Sequence, residues 1–241
     1  MHRRAGFQFI CQGVTLDGTN DYMTRGADLT GNADSKEGTI SFWFMLNGKD
    51  GEAQSVFWCN NNNFGIYRPA DNKFDIYAGD GVDTAIGMTT ATAYTADSTW
   101  HHFIASWNLA IPIVHLYIDG VDDEAGGATE ADKTIDYTGE DHTFGADPGG
   151  GSGRANASFA EVWWRQEYFN ITQAANLQLF RKPSGKPADL LIDGSGPGNQ
   201  PLCYFSARQN DAATVFATNK GTGGDFNITG AFALSATSPS D

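Results

Sequence analysis

The chain reads as an all-β protein, one large sandwich-type domain with a tail, and three observations predict it. Apolar residues recur with a period of two in one run after another, the spacing that a pleated strand imposes. The runs are short and are closed by Gly, Asn and Asp, the residues that accept tight turns; glycine alone numbers 29. With 241 residues, 40% of them apolar and 18% charged, the chain is neither disordered nor a coiled coil, and it is long enough to bury a single β core.

In chain order, residues 1–13 read as an N-terminal arm or edge strand. Val14 to Met23 is a strand that enters a Gly/Asp/Asn turn and leaves it again. Gly38 to Leu46 is the cleanest alternation, with Ile40, Phe42, Phe44 and Leu46 on one face and Thr39, Ser41, Trp43 and Met45 on the other, and it predicts a central strand. Val56 to Cys59 and Phe64 to Arg68, joined across Asn60 to Asn63, predict a hairpin, and so do Lys73 to Ala78 and Val82 to Met88. Trp100 to Asn108 and Val114 to Ile118 form the pair around which the rest is arranged, closed by Asp119-Gly120. Val121 to Tyr137 has no apolar periodicity and is expected as a mobile rim loop. Thr143 to Ala146 and Ser158 to Trp164 are strands on either side of the glycine-rich loop Pro148 to Arg154. Ile171 to Phe180 predicts a short helix, stopped before Pro183. Beyond it, Leu202 to Phe205 and Phe226 to Leu234 are strand-like, and the last strand is expected to return beside the first. The division is thus an arm over 1–13, a sandwich over 14–181 and a C-terminal extension over 182–241.

Thr39-Ile40-Ser41-Phe42-Trp43, Trp100-His101-His102-Phe103 with Trp107, the ending Leu116-Tyr117-Ile118-Asp119-Gly120, and Thr143-Phe144-Gly145-Ala146 followed by Ser158-Phe159-Ala160-Glu161-Val162 stand in this order along the chain. In this the sequence resembles the concanavalin A-like, laminin-G-like (LamG) jelly-roll domains. The resemblance covers roughly Val14 to Phe180 and implies a sandwich of two antiparallel sheets with one short helix near 171–181. Asn219 to Phe226, followed by a short strand and a Ser/Pro tail, resembles the C-terminus of LamG-containing virion proteins of tailed bacteriophages.

Charge and composition narrow the function. Fifteen Lys and Arg against 29 Asp and Glu give a formal net charge of −14, which argues against a nucleic-acid partner, since phosphate binding relies on clustered cations. The basic clusters are His2-Arg3-Arg4 and Arg181-Lys182. No stretch approaches the roughly 20 apolar residues of a membrane span, and no apolar segment follows the first four residues as in a secretory signal. Cys11, Cys59 and Cys203 are odd in number and set among apolar neighbours, so they are expected as buried free thiols of a protein made in a reducing cytoplasm.

No enzymatic pattern survives inspection. A retaining glycosidase needs two carboxylates about 5 to 5.5 Å apart, whereas Glu161 and Glu167 are six residues apart on one strand, roughly 20 Å. His101 and His102 point to opposite faces and cannot hold one ion together. Asp17, Asn20 and Asp21 gather three oxygen donors at a strand end, where the jelly roll often holds Ca²⁺; the alternative is that they simply build the turn. Trp43, Tyr67, Tyr77, Tyr117 and Trp163 have the parity opposite to the core residues and are candidates for a carbohydrate-binding surface, unless the extension or a neighbouring subunit covers them. The expectation is a non-enzymatic structural or adhesive component of a bacteriophage virion, made in the host cytoplasm, assembling as a homo-oligomer with other virion proteins. Its rim loops would face solvent or host-surface glycans. The competing reading is a carbohydrate-binding module, alone or attached to a glycoside hydrolase.

Overall fold

The computed structural model describes residues 9–59, 63–139 and 141–241; expectations for the first eight residues of the arm and for Asn60 to Asn62 lie outside them. The chain opens with β1 (Cys11–Gln12), β2 (Val14–Asp17) and β3 (Tyr22–Thr24), then runs through the long β4 (Glu37–Leu46). Two hairpins follow, β5 (Gln54–Cys59) with β6 (Phe64–Arg68) and β7 (Asp75–Gly79) with β8 (Thr84–Thr89). Next come β9 (His101–Asn108), β10 (Ile113–Ile118), β11 (Val121–Asp122), β12 (Thr129–Glu130), β13 (His142–Phe144) and the long β14 (Asn156–Arg165). After α1 (Ala174–Leu177) the extension adds β15 (Cys203–Phe205), β16 (Ala207–Arg208), β17 (Asn227–Thr229) and β18 (Ala233–Leu234).

These strands form two antiparallel eight-stranded sheets and a small ribbon in which β1 pairs with β16. The first sheet runs β11-β10-β9-β4-β14-β2-β18, with β15 also on β14; the second runs β12-β8-β7-β6-β5-β13-β3-β17. The alternation of β4 explains its central place. Ile40, Phe42, Phe44 and Leu46 point into the space between the sheets, where Phe42 stacks on Phe103 of β9 at 4.5 Å. Phe57, Phe64, Ile66, Phe74 and Ile76 meet them from the second sheet.

The two sheets differ in what lies on their outer faces. Much of the first sheet's outer face is covered by the chain that follows β14: Ile104 and Trp163 pack with Ile171, Phe180, Ala188, Leu190 and Tyr204 in a second apolar cluster. Among the described residues no such cluster lies on the outside of the second sheet, and its outward Trp58, Tyr67, Asp75, Tyr77 and Thr89 are partly exposed.

Three expectations are corrected. Val121 to Tyr137 is not simply a rim loop: it contributes β11 and β12, and Ile135 and Tyr137 are fully buried, with the Tyr137 hydroxyl accepting a hydrogen bond from Trp107 Nε1 at 2.8 Å. Two apolar residues that enter the core from a loop leave no periodic trace. The helix is a single turn, because Ala174 and Ala175 are exposed and only Ile171 and Phe180, outside it, are buried. Phe226 to Leu234 is two strands, not one: the chain turns at Gly230, with φ of 88°, so that β17 joins β3 on the second sheet and β18 joins β2 on the first.

Candidate functional site

The five aromatic candidates separate onto different surfaces. Trp43 and Trp163 are 3% and 0% exposed. Trp43 stacks on His102 and packs with Cys11 and Ala160, while Trp163 packs against Phe180 and donates from Nε1 to the Gly194 carbonyl at 2.9 Å. Their parity is outward, as the alternation predicts, but the chain outside the sandwich strands covers them, so neither offers a ring to a ligand. Tyr117 is partly exposed on the same sheet and leans on the Ile104–Trp163 cluster. Tyr67 and Tyr77 alone are brought together, on the outer face of the second sheet.

That face has a third ring which the sequence reading passed over. Trp58 lies on β5 between the buried Phe57 and Cys59, so it points outward. Its indole stacks on Tyr67, centroids 5.6 Å apart and planes at 25°. It also lies flat on Gly65 of β6, where an added Cβ would meet the ring at 2.3 Å. Strand pairing sets Trp58 opposite Gly65, Gly65 opposite Tyr77 and Tyr77 opposite Gly87. Rings on alternate strands are separated by glycine, which leaves a low floor between them. Trp58 and Tyr77 thus stand two strand spacings apart, about 10 Å.

A polar row runs beside the rings, in which Tyr67, Asp75 and Thr89 pair across β6, β7 and β8. Burial raises the Asp75 carboxyl above its ordinary range, opposed by the neighbouring Thr89 and Tyr67 hydroxyls. Burial, and then the adjacent Asp75 charge, raise the Tyr67 phenol likewise. Three polar atoms in this layer are buried and have no hydrogen-bond partner: Asp75 Oδ1, Trp58 Nε1 and Thr143 Oγ1. Thr143 faces Trp58 across β13 and β5.

Of the oxygen donors considered for calcium, Asp17, Asn20 and Asp21, the two carboxylates bond to the backbone. Asp17 Oδ1 accepts the amides of Thr19, Asn20 and Asp21 at 2.7, 3.1 and 3.4 Å, and these bonds outweigh burial to hold its carboxyl below the usual range. Asp21 is 3% exposed, and its two oxygens accept the amides of Asp17 and Ala231. These bonds build the turn, and among the described residues no group of three or more His, Cys, Asp or Glu is placed to hold a metal. Glu161, weighed for hydrolysis, is 2% exposed and bonded to Tyr204 and Arg208, and Glu167 pairs with Arg165 at 2.7 Å.

His101 and His102 have separate structural partners. His101 Nδ1 lies 2.7 Å from Asp119 Oδ2, and His102 Nε2 lies 2.8 Å from Ser41 Oγ in a fully buried position. Burial pushes the His102 imidazole down to about 3, so it is neutral.

Comparison with known proteins now fits this geometry. Residues 17–175 match the family model Laminin_G_3, described as the concanavalin A-like lectin/glucanases superfamily. The chain belongs to this family. Among solved structures it is similar to a native heptameric SAP-like pentraxin from Limulus polyphemus, at 13% identity and a TM-score of 0.59, covering 98% of this chain and 100% of that one. It is also similar to a putative carbohydrate binding protein from Bacteroides ovatus, at 9% identity and a TM-score of 0.65, covering 95% of this chain and 60% of that one. The binding domain of botulinum neurotoxin serotype G matches at 12% identity and a TM-score of 0.51, over 72% of this chain and 45% of that one. At these identities the likeness is one of fold. No curated protein matches the sequence.

Proposed function

We propose that this member of the lectin/glucanase superfamily is a non-catalytic carbohydrate-binding protein whose ligand lies across the outer face of the second sheet. The observation that carries the reading is the arrangement of Trp58, Tyr67 and Tyr77 on one open sheet face, while Trp43 and Trp163 on the other sheet are covered. Sugars present apolar C–H faces that stack on such rings, and their hydroxyls need nearby acceptors and donors, which the partly exposed Asp75 and Thr89 supply. The carboxylates Glu161 and Glu167 are tied into ion pairs, and the reading assigns no bond cleavage. A homo-oligomer belongs to the same reading, since repeated sites on one particle raise avidity for a repetitive glycan without new contacts.

Service in a bacteriophage virion rests on the Asn219 to Phe226 resemblance, with which the expected cytoplasmic synthesis and free thiols agree. Within this chain that run has its own work: the Asn219 side chain accepts from the Tyr204 amide and donates to the Leu202 carbonyl, both at 2.8 Å. Its composition is accounted for without a partner subunit. The carbohydrate reading is tested by affinity electrophoresis against a panel of soluble polysaccharides. Retardation by at least one of them, lost in Trp58→Ala, is the expected result; a protein that migrates freely through every one would refute it.

A further inference from the structure

We infer that this platform selects uncharged glycans and that Asp75 is the residue that sets the selection; the inference rests on the carbohydrate-binding reading above. Asp75 is flanked across the strands by Tyr67 and Thr89 and lies two residues from Tyr77 on the same face of β7. One of its carboxyl oxygens is buried with no partner. A buried acceptor left without a partner is costly, and a ligand hydroxyl that reaches it and donates recovers that cost. Trp58 Nε1 and Thr143 Oγ1, the latter on a fully buried residue, are unpartnered in the same layer. Of these residues Asp75 and Trp58 are partly exposed, an acceptor and a donor suited to polyhydroxyl ligands, while Thr143 lies beneath the surface.

The same carboxylate repels an anionic sugar. Asp71 adds its charge to that of Asp75 at the Tyr67 hydroxyl. Of the nearby cations, Lys133 is held between Asp80 and Asp83 at 3.1 and 2.5 Å, which leaves Lys73 as the cation felt at Asp75. A uronate or sulfate laid across the rings would therefore meet fixed negative charge with little to offset it, and like charges held together at an interface oppose binding and set specificity.

The test uses matched polysaccharides that differ only in charge: methyl-esterified against de-esterified homogalacturonan, hydroxyethyl- against carboxymethyl-cellulose, and dextran against dextran sulfate. Affinity electrophoresis of the whole chain should show at least one neutral polymer bound about tenfold more tightly than its anionic partner. Asp75→Asn, which keeps the shape and one acceptor oxygen and removes the charge, should bring that difference down to about threefold or less by strengthening the anionic member. A second measurement needs no variant: raising salt from about 20 to about 500 mM should strengthen binding of the anionic polymer to the wild type by screening the repulsion. Equal or tighter binding of the anionic member at low salt overturns the inference and leaves carbohydrate binding intact. An unchanged difference in Asp75→Asn also overturns it, assigning the discrimination to the overall charge of −14. If none of the six polymers binds while the wider panel does, the inference fails alone; if nothing binds at all, it fails together with the reading beneath it.

Discussion

Trp58 and Tyr77 are the residues on which the function turns, and Trp58 contributes to function more than to the fold. Its ring rests on a glycine and a tyrosine at the surface, so Trp58→Ala should lower affinity for a bound glycan by about tenfold or more. The melting temperature should fall by only a few degrees, as read by calorimetry; a large loss of stability would move Trp58 into the core instead. His101 carries a pH dependence. Its hydrogen bond to Asp119, opposed by burial, raises the imidazole above its ordinary value. A histidine raised in the folded state contributes stability that is complete below its unfolded pKa and disappears as the pH climbs through the folded one. The stability lost in His101→Gln should therefore be larger near about pH 5.5 than near about pH 8.5. Equal losses by thermal melts at the two pH values would show that the pair does not depend on the imidazolium. At this scale the sequence was partly legible. Tyr67 and Tyr77 could be picked from parity, and so could Trp58, since Phe57 and Cys59 on either side read as core. Nothing local distinguished them from Trp43 and Trp163, whose cover comes from more distant chain.

Single strands set how these residues stand. On β6 the absence of a side chain at Gly65 is what lets Trp58 lie flat, so Gly65→Val should lift the indole and weaken glycan binding about as much as removing the ring. Tryptophan fluorescence would report the displaced ring, and binding equal to the wild type would show that its flat seat is irrelevant. On β14 the register shifts between Ala160 and Trp163, and Glu161 within the shift has φ of 50°. The bulge turns its carboxylate toward the extension, where Arg208 Nη1 and the Tyr204 hydroxyl both donate to it at 2.5 Å. Removing one partner of such a buried pair costs about 3–5 kcal/mol, the loss expected for Glu161→Ala in chemical denaturation; a loss below about 1 kcal/mol would reduce the pair to a surface contact. The period of two made β4, β9 and the β5–β8 hairpins readable, because each alternates between a buried and an outward row. It could not show the bulge, where one residue breaks the count, nor the burial of Ile135 and Tyr137, which leave loops to reach the core.

In the whole molecule the extension is part of the sandwich and not an appendage. The family match ends at residue 175, yet β15 and β18 join the first sheet, β17 joins the second, and Phe180, Leu190 and Tyr204 cover the first sheet's outer face. A chain ending at Lys182 would expose Ile104 and Trp163, and an apolar surface of that kind aggregates. Size-exclusion chromatography should find it in aggregates, and a folded monomer would show that the cover is dispensable. This asymmetry, one face largely covered and one open, is the central claim, because it decides which aromatic rings meet a ligand. The most direct test is an NMR titration of the six indole N–H signals with a polysaccharide fragment that the protein binds. The account predicts that the Trp58 signal shifts with saturation while those of Trp43 and Trp163 stay in place; a shift of Trp43 or Trp163 with Trp58 unmoved would put the ligand on the other sheet and contradict it.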